Sequence, residues 1–377
     1  MNKKERRDYF IFGIIIVVAV VALILIFSGG EKVDNKEVIK IGIAAPLTGG
    51  VAYQGERFID GATLAAQEYN ANNNKKISLT IEDDQCSASK AISVSNKIID
   101  LDGIDKVVSY CGASSTPYAD KLRNEGGIMF VSSVRLSIAE EKDPFLFNLL
   151  PPPKDEMDTL SKYLISHNFT KVSVIYQQDF FGQTYLDKFR NSYEGQGGDI
   201  ILVEGTDSNT AVDFRTSLTK IKSTKSQAII NFVAHPGNYD LILKNSEEVG
   251  VGLPFFSEWI TEHPSLIDLA GERAEGIIYT HPFKKLNTSK FNQFYQEYVS
   301  EYNEEPNIDS VNGYEVVMLF GQLYEDCGDN SRCMEQKLNS GKSYEGLGGD
   351  ISFKKYMKEG DYYLKTISGG KFVALEE

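Results

Sequence analysis

Two runs of alternating strand and helix patterns, separated by a proline-rich crossing, predict an α/β protein with two doubly wound parallel-sheet lobes. A further observation adds a membrane element. Phe10 to Phe27, "FIFGIIIVVAVVALILIF", is 18 residues without a charge, near the length of a membrane-spanning helix.

The N-terminal element comes first in the chain. Lys3, Lys4, Arg6 and Arg7 precede the apolar run and predict a cytoplasmic tail over 1–9, with the rest outside. The run outlasts the roughly 7–15 residues of a signal-peptide core. No cysteine follows in "SGGEKVDNKE", so no lipid anchor is available there. Residues 10–27 therefore read as a single-pass anchor, and 28–37 as a linker. Signal cleavage and secretion is the alternative.

From Val38 the first run reads strand "VIKIGIAAP", helix "QGERFIDGATLAAQEYN", strand "ISLTIEDD", helix "SASKAISVSNKIID", strand "KVVSYC", helix "PYADKLRNEG" and strand "IMFVSS". The first strand puts Ile39, Ile41 and Ile43 on one face, and the first helix spaces Phe58, Ala62, Ala65 and Tyr69 helically. "FLFNLLPPPKDE" then breaks the rhythm with Pro151 to Pro153. The second run extends from the helix around Met157 to the strand "PFFSEW". "EGIIYTHPF" makes another crossing, two long helices follow, and the tail reads as an antiparallel hairpin closing one lobe. The expected division is 38–149 with 283–342 in the first lobe and 150–282 with 343–377 in the second.

The 377 residues suffice for two such domains, and 42% are apolar. The formal net charge of −14 speaks against nucleic acid, which needs a basic footprint. The four cysteines, Cys86, Cys111, Cys327 and Cys333, form an even set for an oxidising compartment. Three pairings are possible, and Cys327 with Cys333 could close a short local loop. Neither pair has the close spacing of a zinc site.

Chemistry-bearing motifs are few. There is no Gly-rich phosphate loop, no G-x-S-x-G elbow and no H-E-x-x-H. Asp83 and Asp84 read as a solvated turn. His235, His263 and His281 each precede a proline; they could converge as metal ligands, but His-Pro also makes a good turn, and no metal or other cofactor is expected. Ligands of open α/β sheets bind at the carboxyl ends of strands, near helix N-termini. In "CGASSTP", Thr116 suits an N-cap and Pro117 the first helical position.

From about Val38 onward the chain resembles the type I periplasmic solute-binding proteins of ABC transporters, in the branched-chain amino acid binding family. The residues that carry this are "IKIGIAAPLTGGVAYQGE", "EDDQCSASKA" with "YCGASSTPYAD", "FFG" at Phe181, "AHP" at Ala234, "AGERAEG" at Ala270 to Gly276 and "GGDISF" at Gly348 to Phe353. The resemblance implies two lobes joined by three hinge crossings, a ligand clamped between them, and a disulfide between Cys86 and Cys111. It implies ligand contacts at Gln54, Gly112, Ser114, Ser115, Ser133, Arg135, Phe181, Ala234, Glu258 and Trp259. Residues after Cys111 and after the next strand would take a carboxylate, and Glu258 or Trp259 stands where an acid takes the ammonium. This chain departs from the family pattern: Gly112 replaces a serine, "SSVR" replaces proline, alanine and threonine, and Ala234 lacks a tyrosine ring.

The function expected is capture of a small organic ligand, an amino acid or related carboxylate or amide, and its delivery to ABC permease subunits, without catalysis. The alternative is a ligand-sensing extracellular domain working with a partner receptor. Arg135, if it faces the cleft, favours a carboxylate with an apolar or aromatic body.

Overall fold

The computed structural model describes residues 38–133, 143–207, 213–283 and 288–375. The proposed anchor at 10–27 lies outside them. Among the described residues no helix is long and apolar enough to cross a membrane.

The first run forms β1 (Val38–Ala45), α1 (Ala52–Asn72), β2 (Lys76–Asp83), α2 (Ala88–Ser95), β3 (Lys106–Ser109), α3 (Thr116–Glu125), β4 (Ile128–Val131) and β5 (Leu146–Asn148). The second forms α4 (Pro153–Ser166), β6 (Lys171–Gln177), α5 (Phe180–Gly195), β7 (Asp199–Thr206), α6 (Arg215–Lys222), β8 (Ala228–Phe232), α7 (Pro236–Val249), β9 (Phe255–Ser257), α8 (Pro264–Ala270) and β10 (Ile278–His281). Three helices follow: α9 (Ser289–Tyr302), α10 (Ile308–Cys327) and α11 (Ser331–Asn339). The tail adds β11 (Tyr344–Glu345), β12 (Asp350–Ile351), β13 (Phe353–Lys354), β14 (Met357–Lys358), β15 (Tyr363–Ser368) and β16 (Lys371–Ala374).

The sheets share one plan. Their strand orders are β13-β14-β5-β4-β3-β1-β2 and β16-β15-β10-β9-β8-β6-β7. Each has a five-stranded parallel body, buried on both faces by separate apolar cores. That explains near-continuous apolar strands such as "IMFV" and "AIINF", buried at every position.

The tail corrects the expected division. It makes three antiparallel pairs, not one: β11 with β12 in a small sheet of their own, β13 with β14, and β15 with β16. β13 and β14 extend the first sheet, and only β15 and β16 extend the second. Phe353 decides this: its ring lies 5.3 Å from Phe147 and 5.8 Å from Phe130 in the first core. The last crossing therefore falls between Lys358 and Tyr363, not near 343. The other two follow β5 and β10.

α1 and α10 pack almost backbone to backbone. A Cβ on Gly61 would stand 1.9 Å from the Ser310 carbonyl oxygen, and one on Gly313 2.0 Å from that of Phe58. Only glycine permits this approach. It brings the first turns of both helices to the cleft between the lobes.

Candidate functional site

The strand ends of both lobes meet around a cavity of about 460 Å³. The first lobe contributes loops after β1, β2, β3 and β4; the second contributes those after β6, β8 and β9. This is the position expected of a ligand crevice in open α/β sheets.

The first-lobe wall presents small groups. Cys86 and Cys111 are disulfide-bonded, and both line the cavity. Gln54, Ala113 and Ser133 line it too. Gly112, Ser114 and Ser115, three expected contacts, do not. Residues Gly112–Ser114 form a 3₁₀ turn, and α3 starts one residue before the expected position, with Ser115 as its cap residue. This turn spends the hydroxyls inward: Ser114 donates to Asp84 at 2.9 Å and Ser115 to the Gly112 carbonyl at 2.6 Å. The Gly112 N–H donates to Ser133 Oγ at 2.8 Å.

Asp84 is no solvated turn residue. It is fully buried and accepts from the Cys86 N–H and from the Ser114 and Tyr118 hydroxyls. Burial raises its pKa against those hydrogen bonds. It ties the disulfide loop to α3.

The second-lobe wall is aromatic. Phe181, Tyr185 and Trp259 line it, with Ala234 and Ile260 between. Glu156 on α4 organises them from behind. It accepts from the Thr280 hydroxyl at 2.7 Å, the Tyr185 hydroxyl at 2.9 Å and the Trp259 N–H at 3.2 Å. Trp259 Nε1–H donates to Tyr185 Oη at 3.0 Å. Burial pushes the Glu156 carboxyl up to about 8, against the three hydrogen bonds.

Glu258, expected to meet the ligand, does not line the cavity. It is buried and caps the following 3₁₀ turn, accepting the Ile260 N–H at 2.7 Å. Burial, and then the nearby Glu156, raise its pKa well above the ordinary value. The 3₁₀ turn begins at Trp259, which faces the cavity, while the Glu258 side chain before it is turned back onto the Ile260 N–H as the cap.

Three other carboxylates do line the cavity, and the sequence reading named none of them: Asp179, the α5 cap that accepts the Gly182 N–H at 3.0 Å, Asp309 and Glu262. Asp309 stands in the first turn of α10, accepting from Tyr110 Oη–H at 2.8 Å. Burial pushes it up to about 7. Glu262 sits across the cleft, beyond Trp259. Burial would raise it, but His281 and Lys365 outweigh that and hold it below the usual range. It accepts from Tyr279 Oη–H at 2.8 Å and pairs with Lys365. Gln54 adds a buried Oε1 with no protein partner. No lysine or arginine lines the cavity among the described residues. Arg135 lies outside them.

The three His-Pro histidines serve turns. His235 and His263 cap α7 and α8, their Nδ1 atoms accepting the N–H two residues on at 3.2 and 3.1 Å. His281 makes the same bond to the Phe283 N–H at 3.1 Å. Among the described residues no group of three or more His, Cys, Asp or Glu side chains could hold a metal.

Two lobes of one topology, a cavity between their strand ends and three connecting crossings define a cleft-type solute binder. The chain belongs to the periplasmic binding protein family, whose model matches residues 38–370. It is 28% identical over 250 residues to an amino acid binding protein of Pseudomonas aeruginosa, covering 64% of this chain and 66% of that one. It is 23% identical over 255 residues to the Leu/Ile/Val-binding protein of Escherichia coli K12, covering 65% and 68%. The chain thus spans about two thirds of the length of these relatives. A leucine-binding protein of Thermotoga maritima superposes with a TM-score of 0.82 at 17% identity, over 90% of this chain and 98% of that one. A solute-binding protein of an ABC transporter from R. palustris, in complex with benzoate, gives 0.79 at 18% identity, over 90% and 95%. Both structures speak for the type I fold.

Proposed function

We propose that the protein captures a small organic acid with an apolar or aromatic body, an amino acid foremost, and delivers it to an ABC permease outside the cytoplasm. The observation that carries this is the cavity: aromatic walls from one lobe and small polar groups from the other. Ser133, beside the disulfide loop, supplies a hydroxyl for the ligand carboxylate. Asp309 and Glu262 flank the space an ammonium would take, replacing Glu258 in that role. Phe181, Tyr185 and Trp259 supply the flat apolar surface. The named ligands of the relatives, leucine, isoleucine and valine, and the benzoate of the R. palustris protein support the class. Closure is a hinge motion about the three crossings, and the chemistry needs no covalent step. The apolar segment 10–27 would hold the binder at the membrane. Mass spectrometry of small molecules released from the purified full-length chain, followed by calorimetry with the molecule found, tests the reading. Release of an amino or aromatic acid that rebinds supports it. A phosphorylated metabolite or a sugar would overturn it.

A further inference from the structure

Behind Ala234 lies a second, much smaller space of about 10 Å³. It shares Ala234, Pro236 and Ile260 with the main cavity, and Tyr239, Thr261 and His263 also line it. Tyr239 is 3% and Thr261 4% exposed; the Thr261 Oγ1 has no hydrogen-bond partner, and the Tyr239 Oη has only the Ser257 hydroxyl beside it. Neither Ser257 nor His263 Nδ1 has a proton to offer them. The Ser257 hydroxyl donates to the Asn231 carbonyl at 2.7 Å, and His263 Nδ1 accepts the Ser265 N–H at 3.1 Å. Buried hydroxyls without partners are uncommon and costly. The Thr261 hydroxyl, which can donate, and the Tyr239 oxygen, which can still accept, face one space the size of a single heavy atom and describe a socket for a group that both donates and accepts.

The partition between this socket and the cavity includes Ala234, whose side chain is a single methyl. We propose that the socket is a specificity subsite, in which Tyr239 and Thr261 receive one hydroxyl group carried by the ligand. This rests on the reading of the main cavity as the ligand site. A single trapped water offers the same chemistry, and the experiment separates the two sources.

Calorimetry on the full-length chain in detergent compares matched probes: L-tyrosine with L-phenylalanine, and 4-hydroxybenzoate with benzoate. In at least one pair the hydroxylated member should bind about tenfold tighter, the worth of one added buried hydrogen bond. Thr261→Val and Tyr239→Phe should each abolish most of that preference without weakening the plain member. Thr261→Ser, which keeps the hydroxyl, should retain it. Thermal stability of the ligand-free Thr261→Val variant should hold or rise, because it loses an unpaired polar atom. Equal binding within every pair that binds, as a water-filled socket would give, overturns the inference and leaves the binding function standing. So does a preference that survives both variants while their stability falls, which marks a packing role only. Failure of all four probes to bind would overturn this inference and leave the ligand class to the mass-spectrometric test above.

Discussion

The two lobes solve one problem in two ways. Both must hold strand-end loops rigid around a ligand, and their parallel sheets have the same order. The first lobe uses a covalent staple, Cys86–Cys111, with the buried Asp84 beneath it. The second has no disulfide among its described residues and uses a buried carboxyl, Glu156, gathering Thr280, Tyr185 and Trp259. A staple leaves the wall free to be small. A carboxyl hub needs donors around it, and aromatic hydroxyl and indole groups supply them while also forming the wall. The difference in lining follows from the difference in fastening.

Breaking the hub should have the largest effect. Glu156→Ala strands three buried donors, each costing about 1–3 kcal/mol, so the loss should reach at least about 3 kcal/mol in urea unfolding. Trp259, the only tryptophan, is the fluorescent probe. A loss under about 1 kcal/mol would remove the hub from the comparison.

The hub should also respond to pH, as the staple does not. A carboxyl near 8 in the folded state, against 4.5 as its ordinary value, keeps its proton on folding while the unfolded chain gives it up. Its folded form binds more protons across that window, so stability falls as pH rises from about 5 to about 8, by up to a few kcal/mol. Asp309, near 7, adds to the slope. Glu156→Gln should make it shallower, with Asp309 keeping the remainder. Stability that rises over this range, or a slope unchanged in the variant, would contradict the assignment.

Removing the staple comes next. The paired change Cys86→Ser with Cys111→Ser opens a separation of 25 residues, worth about 3 kcal/mol by loop entropy. The same change at Cys327 and Cys333 opens only 6, worth about 2 kcal/mol. Thermal denaturation of the two variants should rank them in that order. The reverse ranking would mean that the binding loop does not depend on its staple.

Ser133→Ala should have the smallest effect on folding, about 1 kcal/mol, from the lost bond to the Gly112 N–H. Ligand affinity should drop more, about tenfold, because the same hydroxyl faces the cavity. Calorimetry showing unchanged affinity would transfer the carboxylate role elsewhere on the first-lobe wall.

Local patterns made the lobes legible. Alternation of apolar runs with helical spacings marks parallel strands and their covering helices, because a strand buried on both faces must be apolar throughout. Gln54, Ser133, Phe181, Ala234 and Trp259 were placed at the cavity by strand-end position and family resemblance, and all five line it. Gly112, Ser114 and Ser115 do not line it, because the turn engages the Ser114 and Ser115 hydroxyls inward and the Gly112 N–H with Ser133. Glu258 and Trp259 differ by a single residue of register, and the turn decides between them: Glu258 is used as its cap and Trp259 faces the cavity. Asp309 carried one signal: an acid in the first turn of a helix, two residues after the Asn307 cap.

The sequence by itself determined what depends on near neighbours: two α/β runs, the two crossings after β5 and β10, the three histidine turns and the apolar segment at 10–27. Strand and helix periodicities are local, so they survive without knowledge of the fold. Only the tertiary structure decided which tail strands join which sheet, that Asp84 and Glu156 are buried hubs, and that Asp309 and Glu262 meet at one cavity. Those residues lie far apart in the chain, and burial and charge environment are set by what packs against them. Glu156 and Glu262 have the same side chain; desolvation wins at one and the Lys365 and His281 charges at the other.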